Sequence, residues 1–121
     1  MRIELGQLPD PDLNPNKRLH YMKLARAKRL AKDEAMALVY EQVGMGGPET
    51  PYDSAHITIT WVAGDKRRRD PDNLFASMKP YIDGLVDAGL IADDSAMHVS
   101  YTLRYERGDK NNTIIEIEEV G

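Results

Sequence analysis

The chain has 121 residues, 41% of them hydrophobic and 30% charged, with sixteen Lys or Arg against twenty Asp or Glu and a formal net charge of -4. That length suits one domain with its own core, so residues 1–121 are expected to form a single domain. With no cysteine in the chain, disulfides and thiolate metal sites are excluded, and no run approaches the roughly 20 apolar residues of a membrane span; the expectation is a cytoplasmic protein with no membrane role.

In chain order, "RIEL" alternates and predicts a short strand, and "GQLPDPDLNPN" at Gly6–Asn16, with its three prolines, predicts a loop. From about Leu19 to Val43 no glycine or proline intervenes, and Leu24, Ala27, Ala31, Ala35 and Leu38 recur at helical spacing. Lys17 to Lys32, the start of that segment and the two residues before it, carries Lys17, Arg18, Lys23, Arg26, Lys28, Arg29 and Lys32 and no acid. Positive charge is disfavoured at the N-terminal end of a helix dipole, by a few tenths of a kcal/mol per residue. Phosphate binding accounts for the bias; a solvated face with pairs such as Arg29–Asp33 is the plainer alternative.

The Gly- and Pro-rich Gly44–Ser54 predicts a mobile connection, and "HITITWV" alternates Ile57, Ile59 and Trp61 with Thr58 and Thr60, the pattern of a strand buried on one face. It leads into "GDKRRRDPDNL", where Lys66, Arg67, Arg68 and Arg69 abut Asp70 and Asp72. These four and the seven between Lys17 and Lys32 hold eleven of the sixteen positive charges. A polyanion senses charge within about 8 Å at physiological salt, so the net negative charge does not exclude nucleic acid.

Phe75, Met78, Ile82 and Leu85 then repeat at helical spacing up to Gly89, with Pro80 expected to bend or break the helix near Ala76–Lys79. "MHVSYTLRYER" and "TIIEIEEV" alternate on either side of "GDKNN" and predict an antiparallel hairpin. The expected fold is α+β: a single βαβαββ domain with a small mixed sheet, helices packed mainly on one side, and an antiparallel C-terminal hairpin.

Asp70, Pro71 and Asp72 suit a helix start without any function, as cap, first helical residue and dipole partner. A metal site is the sharper alternative, because a second acidic pair, Asp93 and Asp94, follows the helix, and in a continuous helix Asp72 and Lys79 would share a face about 10.5 Å apart along the axis. Several carboxylates in one place repel by roughly 1 kcal/mol per pair at 4 Å in water and about 4 at an effective dielectric of 20. Mg²⁺, which takes oxygen ligands, is the cation such a cluster calls for. His20, His56 and His98 lack zinc-motif spacing, and neither Ser77, Ser95 nor "GMGG" sits in a nucleophile or phosphate-loop motif.

"RRRDPDNLFASMKPYIDGLVDAGLIADDS", Arg67–Ser95, resembles the RusA family of Holliday-junction resolvases common in prophages, through Asp-x-Asp-Asn-Leu, a following lysine, Asp-Gly-Leu, Ala-Gly and a double Asp. "LNPNKRLHYMKLARAKR" is similar to that family's basic N-terminal segment. The resemblance implies a homodimeric, Mg²⁺-dependent endodeoxyribonuclease, with Mn²⁺ as a substitute, that resolves four-way DNA junctions by paired nicks in recombination and repair. It implies Asp70, Asp72, Asp94 and Lys79 as catalytic residues and Asp70, Asp72, Asp94 and Asp93 as metal ligands. Lys17, Arg18, Lys23, Arg26, Arg67, Arg68 and Arg69 are the expected DNA contacts. The family's lysine often follows the second Asp by four residues, whereas Lys79 follows Asp72 by seven, a difference of nearly one turn that keeps it on roughly the same face. A branched-DNA binder without catalysis, and a nuclease for other DNA structures, are the alternative expectations.

Overall fold

A computed structural model describes residues 1–121. Its elements are β1 (Arg2–Glu4), a 3-10 turn (Pro11–Leu13), α1 (Tyr21–Val43), β2 (Ala55–Ala63), α2 (Pro71–Ala76), α3 (Lys79–Asp87), β3 (Val99–Arg107) and β4 (Asn112–Glu119). The architecture is α+β, as the pattern predicts, with one four-stranded mixed sheet in the order β1-β4-β2-β3.

Period-two alternation places Ile57, Ile59 and Trp61 of β2 on one face, all fully buried, beside Ile115 and Ile117 of β4 and Ile3 of β1. Ala27, Ala31, Ala35 and Val39 of α1 and Tyr81, Ile82 and Leu85 of α3 join them in one core cluster of 20 residues. The stripe expected on α1 is therefore real, with Val39 rather than Leu38 as its deepest C-terminal member. Small side chains on α1 let α3 approach closely at Gly84, where a Cβ atom would stand 2.5 Å from the Lys32 carbonyl oxygen and 2.8 Å from the Ala35 Cβ. The opposite sheet face is polar and carries His56, Ser100, Thr102, Arg104, Glu116 and Glu118.

The predicted helix after Asp70 is interrupted as Pro80 requires: α2 ends at Ala76, Ser77 and Met78 form a turn, and α3 starts at Lys79 with Pro80 in its first turn. Gly89, at φ 80°, stops the chain there.

The expected C-terminal hairpin does not form. β3 pairs in parallel with β2, and β4 pairs antiparallel with β2 on its other side and with β1, so β2 lies between the two strands predicted to be partners. Burial capacity explains the order. β4 supplies the fully buried Ile115 and Ile117 and occupies the interior, whereas Leu103 and Tyr105 of β3 remain substantially exposed, as suits an edge. Parallel pairing of β2 with β3 follows from the helical crossover that α2 and α3 provide. Residues 108–111 then cross one strand, about 10 Å between the two outer partners, held by Gly108 N–H donating to the Ala63 carbonyl at 3.0 Å and Gly64 N–H donating to Asn111 Oδ1 at 2.7 Å. At that crossing a Cβ on Gly64 would stand 3.0 Å from the Lys110 Cα.

No helix is long and apolar enough to cross a membrane. The three histidines have local partners: His20 caps α1 through Met22 N–H, His56 bonds Ser100 and Thr102 hydroxyls at 2.6 and 2.8 Å, and His98 bonds the Asp53 carbonyl.

Candidate active site

The break between α2 and α3 sets the site. It places Lys79 at the head of α3, with Asp83 one turn later on the same face, and Lys79 Nζ donates to Asp83 Oδ1 at 2.7 Å. After Gly89 the chain returns along the sheet. Tyr52 N–H donates to the Leu90 carbonyl and Ala92 N–H donates to the Tyr52 carbonyl, which pins the strand-like segment before Asp93 and Asp94. Asp94 N–H donates to Asp93 Oδ1 at 2.8 Å, and the Asp94 carboxylate accepts a short hydrogen bond from the same Lys79 ammonium.

Lys79 thus bridges two carboxylates, Asp83 and Asp94, that lie eleven positions apart in the chain. Their hydrogen bonds, Asp83 first, hold its pKa well above the ordinary lysine value, so it stays protonated at any working pH. In return Lys79 draws the Asp94 carboxyl below its usual range. A group whose folded pKa is lowered contributes stability that is present above the unfolded value of about 3.9 and is lost as pH falls through the folded one. The melting-temperature gap between wild type and Asp94→Asn is therefore expected to be largest above about pH 5 and to close towards pH 2. A gap of constant size across that range would refute this account of the Lys79–Asp94 pair.

Two concavities meet at Lys79. On one side, Lys17, Lys28, Arg29 and Lys32 line a groove of about 870 Å³ between α1 and α3, with Ala76 and Lys79 on the far wall. On the other, Phe75, Ile82 and Tyr101 join Ala76, Lys79 and Asp94 around a hollow of about 330 Å³. Burial, and then the nearby Asp94, push the Tyr101 hydroxyl up to about 12. A third hollow, of about 460 Å³, contains Arg67, Arg68, Arg69 and Asp70 beside Asn73 and Asn111.

The residues singled out in the sequence are consequently distributed. Lys79 and Asp94 are joined, with Asp93 alongside. Asp70 occupies the N-cap position of α2 but its side chain makes no capping bond; it faces Arg68 at 3.5 Å in the arginine hollow. Asp72 is exposed in the first turn of α2, and the turn at Ser77 and Met78 breaks the continuous helix that would have put it on one face with Lys79. No three His, Asp or Glu side chains stand together in a metal-holding group. Of the expected DNA contacts, Lys17 lines the large groove and pairs with Asp12, while Arg18, Lys23 and Arg26 are exposed outside it. Arg67 and Arg68 are exposed, but Arg69 is only 16% so: it forks onto Asp65 at 2.8 and 2.9 Å and reaches the Tyr105 hydroxyl at 3.3 Å. That clamp keeps the Asp65 carboxyl far below the carboxylate range and ties the arginine loop to β3.

Asp83 is absent from the expected set, although its four-residue spacing from Lys79 and its place in "DGL" both pointed to it. Lys28, Arg29 and Lys32 are the groove cations that the first basic residues overshadowed. The Arg29–Asp33 pair does not form; Lys32 instead bonds Asp87 of α3 at 2.6 Å, tying the groove's two walls together.

No protein-family model matches the chain. A protein of Xylella fastidiosa (strain Temecula1 / ATCC 700964), described as an uncharacterized protein, is 30% identical over 96 residues, covering 78% of this chain and 61% of its own length. The chain thus spans about three-fifths of that relative, whose description names no activity.

Proposed function

We propose that this protein is a Mg²⁺-dependent endodeoxyribonuclease, with Mn²⁺ as a substitute metal, that acts as a homodimer on four-way DNA junctions and cuts them by paired symmetric nicks. The observation that carries the reading is the return of Asp94 to Lys79 at the head of a basic groove. Those two residues and Asp70 and Asp72 are the positions through which the sequence resembles the RusA resolvases.

The carboxylates are of the type that Mg²⁺ takes, although this structure does not bring three of them together. Every carboxylate named is an oxygen ligand, and Asp83 with Asp94 already hold one cation, the Lys79 ammonium, leaving one negative charge uncompensated. To hold an ion, Asp70 and Asp72 would have to converge on Asp94 and its neighbour Asp93 from the separate places they occupy here; the ion would supply Lewis acidity for activating water and stabilising the departing oxygen. Lys79, permanently protonated, donates to a non-bridging phosphate oxygen and offsets charge that grows in the transition state. Lys28, Arg29 and Lys32 take the flanking phosphates of the strand, and Arg67 and Arg68 take a second strand on the Asp70 side. Arg69 holds the arginine loop in place through Asp65.

The test is a labelled four-way junction incubated with the purified protein, with and without Mg²⁺, beside Asp72→Asn. Symmetric nicks that require Mg²⁺ and disappear in Asp72→Asn are expected. Tight junction binding with no cutting under either condition would make the protein a branched-DNA binder without catalysis, and equal cutting of four-way, three-way and linear DNA would make it a nuclease for other structures.

A further inference from the structure

The hollow on the sheet side of Lys79 has a composition unlike that of the basic groove. Its walls are the Tyr101 ring from β3 and the Phe75 ring from α2, packed edge to face with centroids 4.9 Å apart. Buried Ile82 forms its floor, and Lys79 and Asp94 supply its charged rim. At about 330 Å³ it is at the small end of the range of ligand pockets. Because β3 is an edge strand and Leu103, next along the same face, is exposed, no element of the chain closes the hollow on that side.

Ala76 and Lys79 line both the hollow and the groove, so the two are continuous around the lysine. A nucleotide has the matching division, an anionic phosphate joined to a flat, apolar-faced base. A strand whose phosphates follow Lys28, Lys32 and Lys79 delivers a base to the aromatic side of Lys79. The Tyr101 ring, only partly buried at the edge strand, offers the flat face on which a base stacks. A base within intact duplex is already paired and stacked, so the occupant must be unpaired.

We propose that this hollow takes one unpaired nucleobase, stacked on Tyr101 and backed by Phe75, when the adjoining phosphate lies on Lys79; the proposal rests on the nuclease reading above and gives it a base-holding subsite at the branch point.

The experiment uses the full chain in EDTA, with oligonucleotides carrying 2-aminopurine at successive positions of a single strand and at the branch of a four-way junction. A second label on each reports binding by anisotropy. Wild type is expected to quench the probe at one or two positions, and Tyr101→Leu to lose the quench and weaken single-strand binding by about 5- to 150-fold, the range for one base–aromatic stack. Tyr101→Phe, which keeps the ring, is expected to retain both effects, and thermal melts of each variant check folding. If DNA binds, and is cut once Mg²⁺ is added, while the probe stays bright at every position in wild type, the base subsite is overturned and the nuclease reading stands. With neither binding nor cutting, both fall. If the probe stays bright and Tyr101→Leu instead dissociates a dimer, the hollow is a contact between copies and the subsite is overturned.

Discussion

Lys79→Met is expected to cut a four-way junction about 100- to 1000-fold more slowly than wild type, the usual consequence of removing one donor to a developing oxyanion, while binding it with only a few-fold change in affinity. Asp94→Asn should match it in cleavage, because the carboxylate and the ammonium are held by each other. Asp83→Asn is the more telling variant, since it tests a partner that the resemblance did not nominate: with Asp83 gone, Lys79 keeps only Asp94, and its pKa falls towards the ordinary value. Slower cleavage in Asp83→Asn that Asp83→Glu partly restores, with junction binding retained in both, assigns Asp83 to positioning Lys79. Unchanged cleavage in Lys79→Met would remove the lysine from the chemistry and take the proposed role of Asp94 with it.

Gly84→Leu is expected to destabilise the fold by about 3 kcal/mol, the upper part of the range for overpacking a filled core, and to lower the melting temperature by on the order of 10 °C. Intrinsic propensity argues the other way, since leucine is favoured over glycine inside a helix by nearly 1 kcal/mol. Packing wins because even a Cβ would meet Lys32 backbone at 2.5 Å, and a larger side chain must drive α1 away from α3. The Lys32–Asp87 bond joins the same two helices, so the basic groove widens together with the loss of stability. A variant that melts at or above the wild-type temperature would show that the helices part without cost.

What could be seen from the sequence follows the range over which each signal acts. Alternation in Ile57, Ile59 and Trp61, the apolar stripe of α1 and the interruption at Pro80 are local, and all three stand in the structure. Pairing between strands is not local. Two alternating segments joined by "GDKNN" look like hairpin partners, and only the demand of β2 for apolar neighbours on both sides decides that β4 crosses to its far edge. In the candidate site, Lys79 and Asp94 were visible as motif letters, but the bond between them depends on where the chain after Gly89 is pinned by Tyr52. Arg69 shows the reverse: in a run of four cations it is indistinguishable from its neighbours, and only the fold engages it with Asp65 and Tyr105. Net charge carries little for a similar reason. Glu106, Glu116 and Glu118 sit on the polar sheet face, away from the groove that collects Lys28, Arg29 and Lys32, and a sum over the chain merges the two sides.

The crossing of residues 108–111 over Gly64 also governs the order in which the molecule can assemble. β2 has both of its neighbours downstream, and β1 has none except β4, so when the first 98 residues have left the ribosome no two strands of the sheet can yet pair. The helices can form early, but Ile57, Ile59 and Trp61 wait for Ile115 and Ile117 far downstream. Folding is therefore dominated by contacts distant in sequence, which places it among the slower small domains, on the order of milliseconds to seconds. During that wait the exposed β2 is the segment that another chain can capture.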